Sequence, residues 1–284
     1  MNTFFKIVAL LRSIFKLGIK FPNFINRGVD LDKKVKIDRS CKINYPVEKK
    51  FNKIGAVTLQ AGSILGAENQ IETGRNGIIN IGKNVTIGKN NLFIANDNSK
   101  ITIGANTTIG DNNIISAQSK SIIEFKNSVK IKNNCKIKAG GDSKYLLQDN
   151  SEVLEDSRII SPTSGGGDFT LGNSSIVHMN NFLDLSGSIT IKDNARTSRD
   201  VKIHTHIHGI KGKELIWNQP IETKSVSIGH GAWVGTGAQL LPGAELNTGS
   251  ILGAGGILTC QTKKYRVYGG IPAKQIKNRL EFVS

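Results

Sequence analysis

Every sixth position from 228 to 258 is aliphatic: Ile228, Val234, Leu240, Leu246, Leu252 and Leu258. A glycine stands three places after each of the first five (Gly231, Gly237, Gly243, Gly249, Gly255), and a small residue follows it. A period of six matches neither the 3.6 of a helix nor the two of a lone strand. It describes a chain that runs straight briefly, turns a corner and repeats, with one aliphatic side chain pointing inward per face. Three such faces close a coil, and stacked coils bury one continuous core.

The pattern extends far upstream. Ile37, Leu59, Ile81, Ile103, Phe125 and Leu147 follow one another at 22-residue steps, then Leu171, Ile191, Ile228 and Leu246 after 24, 20, 37 and 18. Most have an apolar residue two places earlier and a polar or Gly-rich hexad after, as in Ile79-Asn80-Ile81-Gly82-Lys83-Asn84. The expected architecture is all-β, a parallel β-helix of about ten coils. Its early coils are read as three hexads plus about four residues at a corner, where Asn and Gly tolerate positive φ. The expected division is residues 1–28 as an N-terminal helix or cap, 29–262 as the β-helix, and 263–284 as a short tail.

Residues 1–28 have another character. Phe4, Ile7, Val8, Leu11, Ile14 and Phe15 fall at helical spacing between Lys6, Arg12, Lys16 and Lys20. That is an amphipathic helix, too interrupted by charge to span a bilayer. It is read either as a cap on the open end of the coils or, through residues 1–20, as a peripheral contact with an anionic membrane. No clean apolar run with a small-residue cleavage site precedes the repeat, which points to a cytoplasmic protein. Three cysteines without a CxxC fit a reducing compartment. The net charge of +16 is spread along the chain without aromatic interleaving or a nucleic-acid reading motif. The expected acidic partners are therefore a phosphate-bearing cofactor, an anionic glycan or a membrane surface, and not nucleic acid.

The interval of 37 between Ile191 and Ile228 implies an excursion of about residues 209–225. His204, His206 and His208 stand immediately before it, three of the five histidines. Histidines beside a loop on a rigid scaffold are a candidate site. Alternation along one strand gives the three a common side, so zinc ligation is one reading; no metal is expected, because the spacing does not spread ligands across coils.

From Ser227 to Arg279 the chain resembles the C-terminal signature of hexapeptide-repeat acyltransferases. The stretches that carry the likeness are Ile228-Gly229-His230-Gly231-Ala232-Trp233-Val234-Gly235, Leu241-Pro242-Gly243, Leu252-Gly253-Ala254-Gly255 and Tyr268-Gly269-Gly270-Ile271-Pro272-Ala273-Lys274. Upstream, His208-Gly209-Ile210 is similar to the family's catalytic strand, and the detailed match spans roughly residues 170–279. The resemblance is nearest to sugar O-acetyltransferases of capsule and O-antigen. It implies a left-handed β-helix, a homotrimer, and acetyl-CoA bound between subunits as acyl donor. His208 then corresponds to the general base that takes a proton from a sugar hydroxyl, with His206 next in line. Thr236, Ala254, Thr259 and Lys274 match cofactor contacts, although Cys260 replaces the basic residue usual after Thr259. Asn180, Trp217 and Trp233 are candidates on the acceptor side.

The expected function is acetyl transfer to a hydroxyl of a bacterial cell-surface polysaccharide or its precursor, at the inner face of the inner membrane if the N-terminal helix docks there. The alternatives are N-acetylation of a nucleotide-linked amino sugar and a non-catalytic β-helix that binds glycans or serves as a scaffold.

Overall fold

A computed structural model describes residues 29–32, 34–44 and 56–282. The N-terminal helix expected over residues 1–28 lies outside the described residues. The rest is nearly all β, a three-sided parallel β-helix, and each coil contributes one strand to each of three faces. The first and third faces hold ten strands in sequence order, and the second holds twelve. Every neighbour within the coils is parallel, because each strand pairs with the strand one coil earlier and one coil later.

The inward columns are those of the aliphatic repeat. Ile81, Ile103, Phe125, Leu147, Leu171, Ile191, Ile228 and Leu246 stack in register on the first face. All eight are buried, each side chain contributing about 1.5–3 kcal/mol through removal from water. The column departs from expectation at its start. Leu31, not Ile37, pairs with Leu59, while Ile37 lies on the second face against Leu65. The first coil carries extra chain between its third face and Leu59, which shifts the register.

The four additional residues of the early coils are not at a corner. They widen two faces. In the coil beginning at Ile78, the first- and third-face strands have four residues each (Ile78–Ile81, Leu92–Ala95), and the second has two (Thr86–Ile87). The alternation Ile79/Ile81 is thus two inward positions on one wide face. The wide coils hold the large buried rings Phe93, Phe125, Tyr145 and Phe169. From Trp233 to Leu258 each strand has two residues, and the core narrows to Val, Leu and Ala.

Corners are sharp and left-handed. Asn84, Asn106, Asn90 and Asn112 have φ between 54° and 60°, and Gly231, Gly237, Gly243, Gly249 and Gly255 take the same conformation in the narrow coils. At one corner the side chains form a buried ladder. Asn91 donates from its backbone N (2.9 Å) and Nδ2 (3.0 Å) to Asn69 Oδ1, and Asn113 repeats this onto Asn91. Cys135 ends the run, donating its backbone N to Asn113 Oδ1 at 2.8 Å.

The C-terminal segment, expected as a tail, continues the second face. Arg266–Gly269 adds parallel to Ile251–Leu252, and Lys274–Asn278 turns back antiparallel against it. Among the described residues no helix is long and apolar enough to cross a membrane.

Candidate active site

The coil breaks where the interval of 37 places it. Ile191 pairs directly with Ile228, so the residues between complete one coil and leave an insertion. The insertion is a hairpin rather than an irregular loop. His206–His208 and Ile221–Thr223 pair antiparallel, His206 with Thr223 and His208 with Ile221. Beyond them Gly209 N donates to Pro220 O at 3.0 Å, and the tip contains a short 3-10 turn at Ile216–Asn218. The buried Gln219 side chain holds the tip, accepting from Lys211 N and donating to Glu214 O.

The arm is rooted at the corner between the third and first faces. Thr205 is fully buried there, donating Oγ1–H to Asp184 O (2.7 Å) and accepting from Gly187 N (2.7 Å). Its own carbonyl accepts from Lys224 N at 2.8 Å, so both ends of the arm meet at one residue. Strand alternation then sends His206 and His208 to one side and Ile207 to the other. The two imidazoles meet edge to face, centroids 5.8 Å apart.

Asp184, one coil earlier, is the residue that sequence reasoning missed. Its Oδ2 lies 2.6 Å from His206 Nδ1. Burial pushes this carboxyl up, but hydrogen bonds from Ser186, His206 and Thr205 outweigh it and hold it below its ordinary 3.8. A carboxylate on Nδ1 fixes the tautomer with the proton on that nitrogen and the lone pair on Nε2. The missed signal was an acid inside the apolar run Phe182-Leu183-Asp184-Leu185, 22 residues before His206.

The other histidines differ. His208 Nδ1 is buried with no hydrogen-bond partner. His204 leans on Phe182, centroids 6.2 Å apart. Burial, helped by the charges of His206 and Lys202 and opposed by Asp184, lowers His204 from its usual 6.5. The three imidazoles do not converge, and among the described residues no cluster of three or more His, Cys, Asp or Glu has the geometry to hold a metal.

The remaining expected site residues lie on other parts of the prism. Thr236 and Ala254 are exposed at the corner between the second and third faces, stacked so that Gly255 N donates to Thr236 O. Asn180 occupies the same corner, with φ of 57° and its Nδ2 donating to Asp200 Oδ1 at 2.5 Å. Thr259 follows the third face two coils beyond His204. Trp233 stands half-exposed on the second face, its indole N–H bonded to Ser198 Oγ at 2.8 Å. Lys274 is exposed on the closing antiparallel strand of that face. Trp217 is 73% exposed near the arm's tip, beside exposed Leu215 and Ile216.

No family model matches the chain, and no curated protein matches it. Among solved structures it is similar to the polySia-specific acetyltransferase NeuO, at 17% identity over 64% of this chain and 80% of that one, with a TM-score of 0.43. A maltose O-acetyltransferase from Clostridium difficile 630 shares 25% identity over 45% of this chain and 59% of the other, TM-score 0.32. A hexapeptide-repeat containing acetyltransferase from Vibrio cholerae shares 16% over 44% and 72%, TM-score 0.37. At such scores these likenesses assign no residue a role.

Proposed function

We propose that the chain is an acyltransferase that moves an acetyl group from acetyl-CoA to a hydroxyl of a bacterial cell-surface glycan or its precursor. The observation that carries the reading is the Asp184–His206 contact, at the root of an arm that interrupts an otherwise regular coil. A sugar hydroxyl is a poor nucleophile at neutral pH. An imidazole whose tautomer is held by a carboxylate takes its proton as the oxygen attacks the thioester carbonyl. The C–O bond forms, the C–S bond breaks, and the proton passes on to the departing thiolate. The geometry favours His206 as the base over His208, which the sequence register put first. His208 packs on it, with its own Nδ1 buried and unpartnered.

Thr236 and Ala254 are separated from the histidine arm by the width of the third face. In a homotrimer, side-by-side packing would bring one copy's second–third corner to face the next copy's arm. The donor would then lie between subunits, with Thr236, Ala254, Thr259 and Lys274 as its contacts. The test is thioester consumption by the wild type and by H206Q and H208Q. Loss of about 10²-fold or more in H206Q is expected; wild-type rates in both variants would remove the pair from the chemistry.

A further inference from the structure

The outward positions of the third face carry a second pattern. Lys136, Arg158, Phe182, Lys202 and Gln239 are successive neighbours in register, with Lys138 beside Lys136 on its strand. Lys136 and Arg158 are therefore directly paired like charges, an arrangement that destabilises a sheet. Elsewhere the chain compensates such a position: on the second face the cross-coil neighbour of Lys130 is Glu152, 2.8 Å away. On the third face none of Lys136, Lys138, Arg158 and Lys202 forms an ion pair among the described residues. Local stability is set aside where a binding surface requires it.

Arg158, Phe182, Lys202 and Gln239 line an open groove of about 730 Å³ together with His204, Asp156 and Asp200, and Lys136 continues the row one coil before Arg158. Coils rise by about 4.8 Å, so Lys136 to Lys202 spans roughly 14 Å along the axis. The track ends at His204, two residues before His206 on the same chain segment.

We propose that this groove binds an acidic polysaccharide lying along the coil axis, its carboxylates on Lys136, Arg158 and Lys202 and one sugar ring against Phe182. Unpaired cations in a row match a polymer with repeated negative charge. The carboxylates of Asp156 and Asp200 accept sugar hydroxyls, and one ring is too few for a base-stacking surface. The groove thus gives the acceptor class for the transfer proposed above, and it rests on that reading only for the link to chemistry.

The experiment is binding, not turnover. The full chain and an R158E/K202E variant are titrated with polygalacturonate, neutral dextran, single-stranded RNA and CoA, and their thermal unfolding midpoints are compared. Both side chains are exposed, so the midpoint is expected to stay within a few degrees. The wild type is expected to bind polygalacturonate more tightly than dextran and less tightly as salt rises. The variant is expected to lose about tenfold or more of that binding while holding CoA as before. Equal binding of polygalacturonate by both proteins overturns the proposal, as does preference for dextran or RNA. An equal loss of CoA binding assigns the cations to the donor and also overturns it. If H206Q keeps wild-type transfer while the track variant loses the polymer, the groove stands and the assignment of the base falls.

Discussion

Asp184 Oδ2 and His206 Nδ1 are 2.6 Å apart although 22 residues separate them, because one turn of the coil brings the end of one third-face strand beneath the start of the arm. The contact ties a catalytic candidate to the most regular part of the molecule. Thr205, fully buried between them, fixes the arm's departure through its hydroxyl.

Replacing Asp184 by Asn keeps the shape and reverses the hydrogen-bond polarity. The amide donates to His206 Nδ1, which moves the imidazole proton to Nε2, where a base needs a lone pair. Acetyl transfer is expected to fall by about 10²-fold or more with little change in KM for acetyl-CoA. Steady-state kinetics of D184N, with D184E as partial rescue, check this; unchanged kcat in D184N contradicts it.

The same carboxyl makes stability depend on pH. Its folded value lies below the ordinary 3.8, so the unfolded chain takes up the proton first as the medium is acidified. The contribution is complete above the ordinary carboxylate range and is lost as pH falls through the folded value. Unfolding midpoints measured from neutral pH to pH 3 should fall less steeply in D184N than in the wild type.

The buried ladder predicts a stability cost without a functional one. Asn91→Ala removes the acceptor of two Asn113 donors and takes from Asn69 Oδ1 its Nδ2 donor, leaving it only the backbone N–H of residue 91. Denaturant titration should show a loss of about 1–3 kcal/mol, while binding of CoA by the folded fraction is retained.

Thiol reactivity should separate the cysteines. Burial pushes Cys135 up to about 12, and its Sγ–H donates to Leu154 O at 3.1 Å. Cys260 is exposed and Cys41 partly buried. A maleimide applied to folded protein should label Cys260 first and leave Cys135 untouched until the chain is unfolded, as read by peptide mapping.

The inward columns were legible because a buried aliphatic every coil leaves an unbroken interval, as from Ile81 to Leu147. Ile37 falls at the same spacing from Leu59 yet belongs to the second face, because extra chain in the first coil breaks the interval. A wide face counts in hexads like a long corner, although the pairs Ile79/Ile81 and Ile101/Ile103 carry two inward positions. The histidine arm could be located from the interval of 37, but its hairpin pairing could not, since Ile221–Thr223 carries no period of its own. Asp184 stayed hidden because its meaning arises only once coils are stacked: a carboxylate one coil away is remote in sequence and adjacent in space. The closing strands Arg266–Gly269 and Lys274–Asn278 lack the hexad spacing and read as a tail.

The central claim is acetyl transfer by the arm's imidazoles, and isotopically labelled acetyl-CoA tests it most directly. Incubated with purified protein and an acidic bacterial polysaccharide, the wild type is expected to place label on the polymer in an alkali-labile ester, and H206Q about 10²-fold less. Label left wholly on CoA with the wild type, or equal incorporation by wild type, H206Q and H208Q, would contradict the account.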